Sequence, residues 1–229
     1  MISSVALICV NLDKPITTHS LFGSLMSRTS KKDEVNQLID FARSKGATRV
    51  KVISARDVVV DKRVRLKCSV PRCVDYDRNL MCPPNVMPVD EFEEILGLYN
   101  TALILQVEAD SDSSAKLKKD LDMNTCEKML AEINADKWQL KLHRLVNAVE
   151  AEAFRQGYYL AAGLAGGECC LCAKCVTPYG RKTCRHPFQA RPSMEAMGID
   201  VIRTSKKAGM PVVLSSLRHL RWTGLVLLE

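Results

Sequence analysis

The chain has 229 residues, 47% of them hydrophobic, 5% aromatic and 26% charged, with ten cysteines and a formal net charge of +7. That length suits one large domain or two small ones, and that composition gives a core built mostly of aliphatic side chains. No apolar run approaches the roughly eighteen residues a membrane helix needs, so no membrane span is expected. The cysteines gather at ligand spacing, and Cys169 directly adjoins Cys170. A disulfide framework is therefore set aside, and a reducing, cytoplasmic setting is expected.

Residues 1–32 read as an N-terminal extension and linker, ahead of a Cys-rich domain over 33–229. The apolar run 5–10 lacks a basic n-region and is shorter than a signal-peptide core. Residues 20–30 are rich in Ser and Thr. Val35, Leu38, Ile39 and Ala42 then predict an amphipathic helix over 33–45, stopped by Gly46. A strand is predicted over 49–54, and further short strands at 58–60 and 64–66. A cysteine loop runs to Pro88. Phe92, Ile95, Leu96 and Tyr99 mark a helix with Asp90 as its N-cap.

Residues 101–107 read as an apolar strand, 110–114 as a polar break and 116–134 as a charged helix containing Cys126, taken as a buried spectator thiol. The clearest helix spans 138–155 and ends at Gly157. A strand is predicted over 158–164. Gly166 and Gly167 then lead into a second cysteine loop, either as a plain turn or to bring backbone amides near a cluster. Short helices are expected from Pro192 or Ser193 and over 200–207, and late strands at 211–214 and 224–228. The expected class is α+β: a mixed sheet with helices packed on it and two Cys-rich metal-binding loops at one end.

The chemistry lies in those loops. Cys169-x2-Cys172-x2-Cys175, with Cys184 eight residues on, is the iron–sulfur spacing, in which one short loop wraps a single inorganic centre. Zinc more often takes two separated C-x2-C pairs. A second group, Cys68-x4-Cys73-x8-Cys82, ends in Pro83-Pro84, and proline after a ligand fixes the backbone and removes an N–H. Cys169, Cys172 and Cys175 are expected to hold one [4Fe–4S] cluster, with Cys184 or Cys82 as fourth ligand. Cys68 and Cys73, with whichever thiol remains, would bind a second centre. Seven thiols leave two four-ligand clusters one short, and Cys170, His186 or an open iron would fill the gap. His186 is read as a ligand or as a loop residue hydrogen-bonding near the cluster. His19, His143 and His219 are read as structural or exposed. Glu195 is placed in the first turn of a helix and Asp200 at a cap, ahead of any acid or base role.

Cations cluster beside both groups: Arg63, Arg65, Lys67, Arg72 and Arg78, then Lys174, Arg181, Lys182, Arg185 and Arg191. They would offset the anionic charge of a thiolate-bound cluster. A nucleic-acid surface is unlikely on this reading, because only Tyr76 and Tyr179 interleave with them. No P-loop, no GxGxxG after a strand and no radical-SAM cysteine run is present.

Taken together, Lys67-Cys68, Pro71-Arg72-Cys73, the run 79–84, Cys169-x2-Cys172-x2-Cys175, the run 184–187 and the run 191–200 resemble a prokaryotic family of uncharacterised Cys-rich proteins, described as predicted metal-binding proteins with a domain of unknown function. The likeness covers residues 33–229. It implies a metal or iron–sulfur protein typical of anaerobic bacteria and archaea, and it supplies no reaction. Three functions follow from the residues: an iron–sulfur protein passing electrons to a redox partner protein, an enzyme whose open-iron cluster takes a small anionic substrate beside Arg65, Arg72 or Arg185, or a zinc-stabilised interaction module.

Overall fold

The computed structural model describes residues 30–109, 135–176, 183–212 and 220–229. Helix α1 (Lys31–Ser44) starts where Ser30 and Asp33 close a capping box, each side chain accepting the other's backbone N–H. It buries Leu38 and Ala42 at helical spacing and is left behind at Gly46, whose φ of +94° is open to glycine. Strand β1 (Arg49–Ser54) follows, then helices α2 (Arg63–Ser69) and α3 (Val89–Leu96), and strand β2 (Thr101–Glu108). The long helix α4 (Ala135–Arg155), strand β3 (Ala162–Leu164), helix α5 (Val201–Lys207) and strand β4 (Arg221–Leu228) complete the set.

The sheet order is β1-β2-β4-β3. Leu103 of β2 pairs with Val52 of β1 and Val226 of β4, and Val226 pairs with Gly163 of β3. Side chains alternate across this sheet. Leu103, Leu105, Val107, Val226 and Leu228 face α1 and α4, where Leu142, Leu145, Val146 and Val149 are buried. Ala102, Ile104, Leu225 and Leu227 face the other way, onto Phe92 and Leu96 of α3 and onto Met194, Met197 and Ile199. Both faces are covered, which explains why the central strands read as continuous apolar runs.

Two close approaches fix α4 on the sheet. A methyl group at Gly224 would meet Val146 Cγ2 at 2.7 Å, and one at Gly166 would meet the Thr223 carbonyl oxygen at 2.5 Å. Behind them Arg191 forks onto Glu150 of α4 through Nε and Nη2, at 2.6 and 2.9 Å, with both side chains about four-fifths buried. Glu150 also accepts the Gly163 N–H at 3.1 Å.

The α+β class is as the pattern predicts, with differences in detail. Every pairing between the strands is antiparallel, where a mixed sheet is expected from sequence. The predicted strand 64–66 is the middle of α2, because Asp61 turns the chain: its carboxylate accepts the Arg63 N–H at 2.9 Å, and Val64 N–H donates to Asp61 O. The predicted strand 58–60 reduces to one bridge, Val60 to Ile199. Asp90 lies inside α3 rather than at its N-cap, which is Pro88, and its carboxylate meets Lys62 Nζ at 2.6 Å. Residues 158–161 are loop, and only the last three residues of the predicted strand pair. The segment after Ser193 is a turn, not a helix. Asp200 caps α5 as expected, accepting the Arg203 N–H at 2.9 Å. The readings of residues 1–29, 110–134, 177–182 and 213–219, including Cys126, lie outside the described residues.

The Asp61 turn carries a pH signature. Hydrogen bonds from the Arg63 side chain and backbone hold the carboxyl down at about 2. Its folded value is below the unfolded one, so its contribution to stability is complete above about pH 4 and is lost as pH falls through about 2. A side-chain carboxyl NMR titration should place the Asp61 midpoint well below those of the exposed aspartates. A midpoint near the ordinary value would show that the Arg63 contact does not persist in solution.

Candidate metal centre

Helix α2 ends in the first thiol, Cys68. The chain then doubles back: Ser69 and Arg72 form a bridge, and Cys73 N–H donates to Cys68 O at 3.0 Å. That tight return sets Cys68 beside Cys73. Cys82 arrives from a second turn, where Cys82 N–H donates to Asn79 O at 3.0 Å, and Pro83 O accepts the Asp77 N–H at 2.8 Å. Cys82 is buried, Cys68 partly buried and Cys73 exposed. Burial raises the Cys82 and Cys68 thiols above their ordinary value. The charges of Asp75, Cys73, Glu168 and Cys68 push Cys82 further up.

The second group forms a separate nest. Cys169, Cys172, Cys175 and Cys184 line one narrow pocket together with Leu80, Met81, His186 and Ala190. That pocket offers only about 20 Å³, but Cys169, Cys172 and Cys175 also line a cleft of about 800 Å³ beside it. Backbone N–H groups reach the sulfurs: Leu80 donates to Cys175 Sγ at 3.4 Å, and His186 to Cys184 Sγ at 3.3 Å. Arg185 closes the loop by donating to Lys174 O at 2.8 Å. Burial raises the Cys169 thiol, and the neighbouring Cys184, Cys172 and Cys175 add to the shift. Cys170 faces the cleft and a neighbouring surface hollow rather than the narrow pocket, and burial with Cys169 and Glu168 nearby pushes it up to about 11.

The structure thus keeps the two sequence groups distinct, Cys68/Cys73/Cys82 and Cys169/Cys172/Cys175/Cys184, and puts Cys184 with the second. Among the described residues, no three His, Cys, Asp or Glu side chains converge tightly enough to hold a single ion as they stand. Thiolates are the ligands for soft metals and iron–sulfur centres, so the donor set fits a metal group. Because burial favours the protonated forms of Cys68, Cys82 and Cys169, binding there must displace protons, and loading is favoured as pH rises.

Several neighbours do other work than the sequence suggests. His186 meets a sulfur through its backbone N–H. His143 is buried against Gln189 O at 2.8 Å, a structural role as expected. Of the expected counter-charges, Arg63 pairs with Asp61, Arg72 with Asp77 at 3.8 Å and Arg191 with Glu150, while Arg65 donates to Met87 O. Gly166 and Gly167 are closely packed: Gly166 abuts Thr223, and Gly167, at φ +76°, abuts the Gln139 side chain.

Two residues stand differently from what the sequence suggests. Asn79 is buried and ties the groups together: its Nδ2 donates to Cys169 O at 3.0 Å while its Oδ1 accepts the Met81 N–H at 3.0 Å. Glu195 sits on the turn between Ser193 and Ile199, with Ala196 N–H on Ser193 Oγ at 2.9 Å, and not in a helix. Nothing local in the sequence marks either one, since both act on partners far along the chain.

An α+β domain with two thiol groups in adjoining loops, the second receiving backbone N–H groups at sulfur, has the donor chemistry of a metal-binding protein. The family model described as predicted metal-binding protein (DUF2284) matches residues 51–228, and the chain belongs to that family. No curated protein and no solved structure matches the chain. Among the described residues, no helix is long and apolar enough to cross a membrane.

Proposed function

We propose that this is an intracellular iron–sulfur protein of redox function, with a [4Fe–4S] cluster on Cys169, Cys172, Cys175 and Cys184 and a second centre on Cys68, Cys73 and Cys82. The observation that carries this reading is the second nest: four thiols around one pocket, two of them receiving backbone N–H groups. Such hydrogen bonds to sulfur stabilise the reduced, more negative state and tune the potential of a cluster. Thiols that line a common space without meeting at a point also suit a polynuclear centre better than one tetrahedral ion. When bound, the cluster would supply one-electron chemistry. The chain's own part is to hold the four sulfurs, exclude water through Leu80, Met81 and Ala190, and direct the Leu80 and His186 N–H groups at sulfur.

A second reading has an observation of its own. The cleft of about 800 Å³ beside Cys169, Cys172 and Cys175 carries Arg78, Lys137 and Lys174 together with Asp75, Asp136 and Glu168, and it has room for a small substrate at an open iron. Anaerobic purification, with iron, zinc and acid-labile sulfide counted per chain and a visible spectrum, tests both. A brown protein with iron matching sulfide is expected. A colourless protein that holds zinc, and no sulfide after anaerobic reconstitution, would sink both readings and leave a zinc-stabilised module.

A further inference from the structure

Three thiols of the second nest, Cys169, Cys172 and Cys175, come from one short run. Cys184 is brought in separately, on the turn over 184–190. No helix or strand carries that turn among the described residues between β3 and α5. Burial hardly holds it either. Arg185, Pro187, Phe188 and Gln189 are exposed, Phe188 by 88%, and Ala190 alone of residues 183–190 is buried. The bonds within the turn are local: Gln189 and Ala190 N–H donate to His186 O at 3.0 and 2.8 Å, and His186 N–H donates to Cys184 Sγ at 3.3 Å. They give the turn its shape without fixing where it sits. Toward the other thiols it is tied by Arg185 on Lys174 O, between two exposed residues.

Its anchor into the body of the protein is on α4. His143 Nε2 and Asn147 Nδ2 both donate to one acceptor, the Gln189 carbonyl oxygen, each at 2.8 Å. The two residues are four apart, so one face of the helix presents both donors. A carbonyl only accepts, so His143 Nε2 carries the ring proton, and burial favours the neutral imidazole. His143 is fully buried, and its Nδ1 is enclosed without a partner, as is Asn147 Oδ1. Enclosing polar atoms in this way is costly. Packing alone would favour an apolar side chain at 143, of the kind α4 buries at Leu142, Leu145, Val146 and Val149. What the imidazole adds is its bond to Gln189.

We propose that His143 and Asn147 are positioning residues for Cys184: through the shared Gln189 carbonyl they set whether the second nest closes with four thiols or stands open with three. This rests on the reading of Cys184 as a ligand of that centre. Clamped, the nest suits a fully ligated cluster. Released, it is a three-thiol site, the condition under which iron takes a substrate.

The test uses the full chain as wild type and as Asn147→Ala, His143→Leu, His143→Gln and Cys184→Ser. In the metal-free, reduced protein, iodoacetamide alkylation of each thiol is followed by peptide mass spectrometry. Asn147→Ala and His143→Leu are expected to raise the Cys184 rate, relative to Cys169, Cys172 and Cys175, by about three- to tenfold, the effect of one lost hydrogen bond. His143→Gln, whose amide reaches for the same carbonyl, is expected to keep the wild-type ratio. After anaerobic reconstitution with ferrous iron and sulfide, Asn147→Ala and His143→Leu should show, on oxidation, the EPR signal of a three-iron cluster. An unchanged ratio, with all four thiols faster together or none faster, overturns the clamp and leaves both residues a general support of the fold. A raised ratio without the three-iron signal overturns it too, since the cluster then closes unaided. In either case Cys184→Ser, by losing iron, shows that the iron–sulfur reading stands. If Cys184→Ser keeps the wild-type iron count and spectrum, Cys184 is no ligand, and the proposal falls with that part of the reading. Should His143→Leu fail to fold, Asn147→Ala, at the more exposed end of the clamp, decides by the same two measurements.

Discussion

Cys172→Ser is expected to remove the visible absorption of the second-group cluster and about four irons per chain, leaving the first centre in place. Cys172 is the middle thiol of the Cys169-x2-Cys172-x2-Cys175 turn and lines the narrow pocket with the other three thiols. A serine oxygen there is a hard, poor donor for iron held among sulfides. Because the pocket draws its walls from both cysteine loops, the loss should appear as missing iron rather than as a general loss of fold. Cys126→Ser is the matching control, since that cysteine belongs to neither group. Iron retained by Cys172→Ser and lost by Cys126→Ser would reverse the assignment of ligands and spectator.

The largest stability effect outside the thiols is expected at Gly166. The added methyl of Gly166→Ala falls 2.5 Å from the Thr223 carbonyl oxygen and 3.2 Å from Leu142 Cδ2. The carbonyl belongs to the backbone of β4 and cannot rotate away, so the segment leading to Glu168 and Cys169 must lift from the sheet. Overpacking of this kind costs about 1–3 kcal/mol, and the upper end is expected here. Gly157→Ala makes the comparison: Gly157 has a φ of +100° but nothing within 4 Å of the new methyl, so it pays only the backbone strain, about 1 kcal/mol. Urea unfolding of the two variants should rank them in that order. Equal losses would show that the loop yields at Gly166 without cost.

Much of the frame was legible because it is written locally. The apolar spacing in α1 and α4, the stop signals at Gly46 and Gly157 and the unbroken apolar run of β2 each reflect burial of one stripe or two faces, and these survive in the structure. The two thiol groups were legible for the same reason, since ligand spacing is a short-range pattern. Residues 64–66 misled because two hydrophobics around an arginine look like a strand. The deciding contact, Asp61 on the Arg63 N–H, is a turn device that overrides alternation. The antiparallel order could not be read, because it depends on which distant strands pair. Asn79 was invisible as a site residue for a related reason: it bonds a carbonyl ninety residues away.

The tie made by Asn79 and Leu80 has a consequence for how the protein is put together. The second nest is built on residues 169–184, yet one of its N–H donors, Leu80, and part of its wall come from the loop that carries Cys82. A chain in which that earlier loop has not settled presents Cys175 without the Leu80 N–H and Cys169 without the amide that anchors its carbonyl. Assembly of the second nest is thereby made conditional on the first loop, so any metal it takes would follow the settling of that loop. Loss of metal should run in reverse, with the late nest giving up its contents whenever the early loop is disturbed.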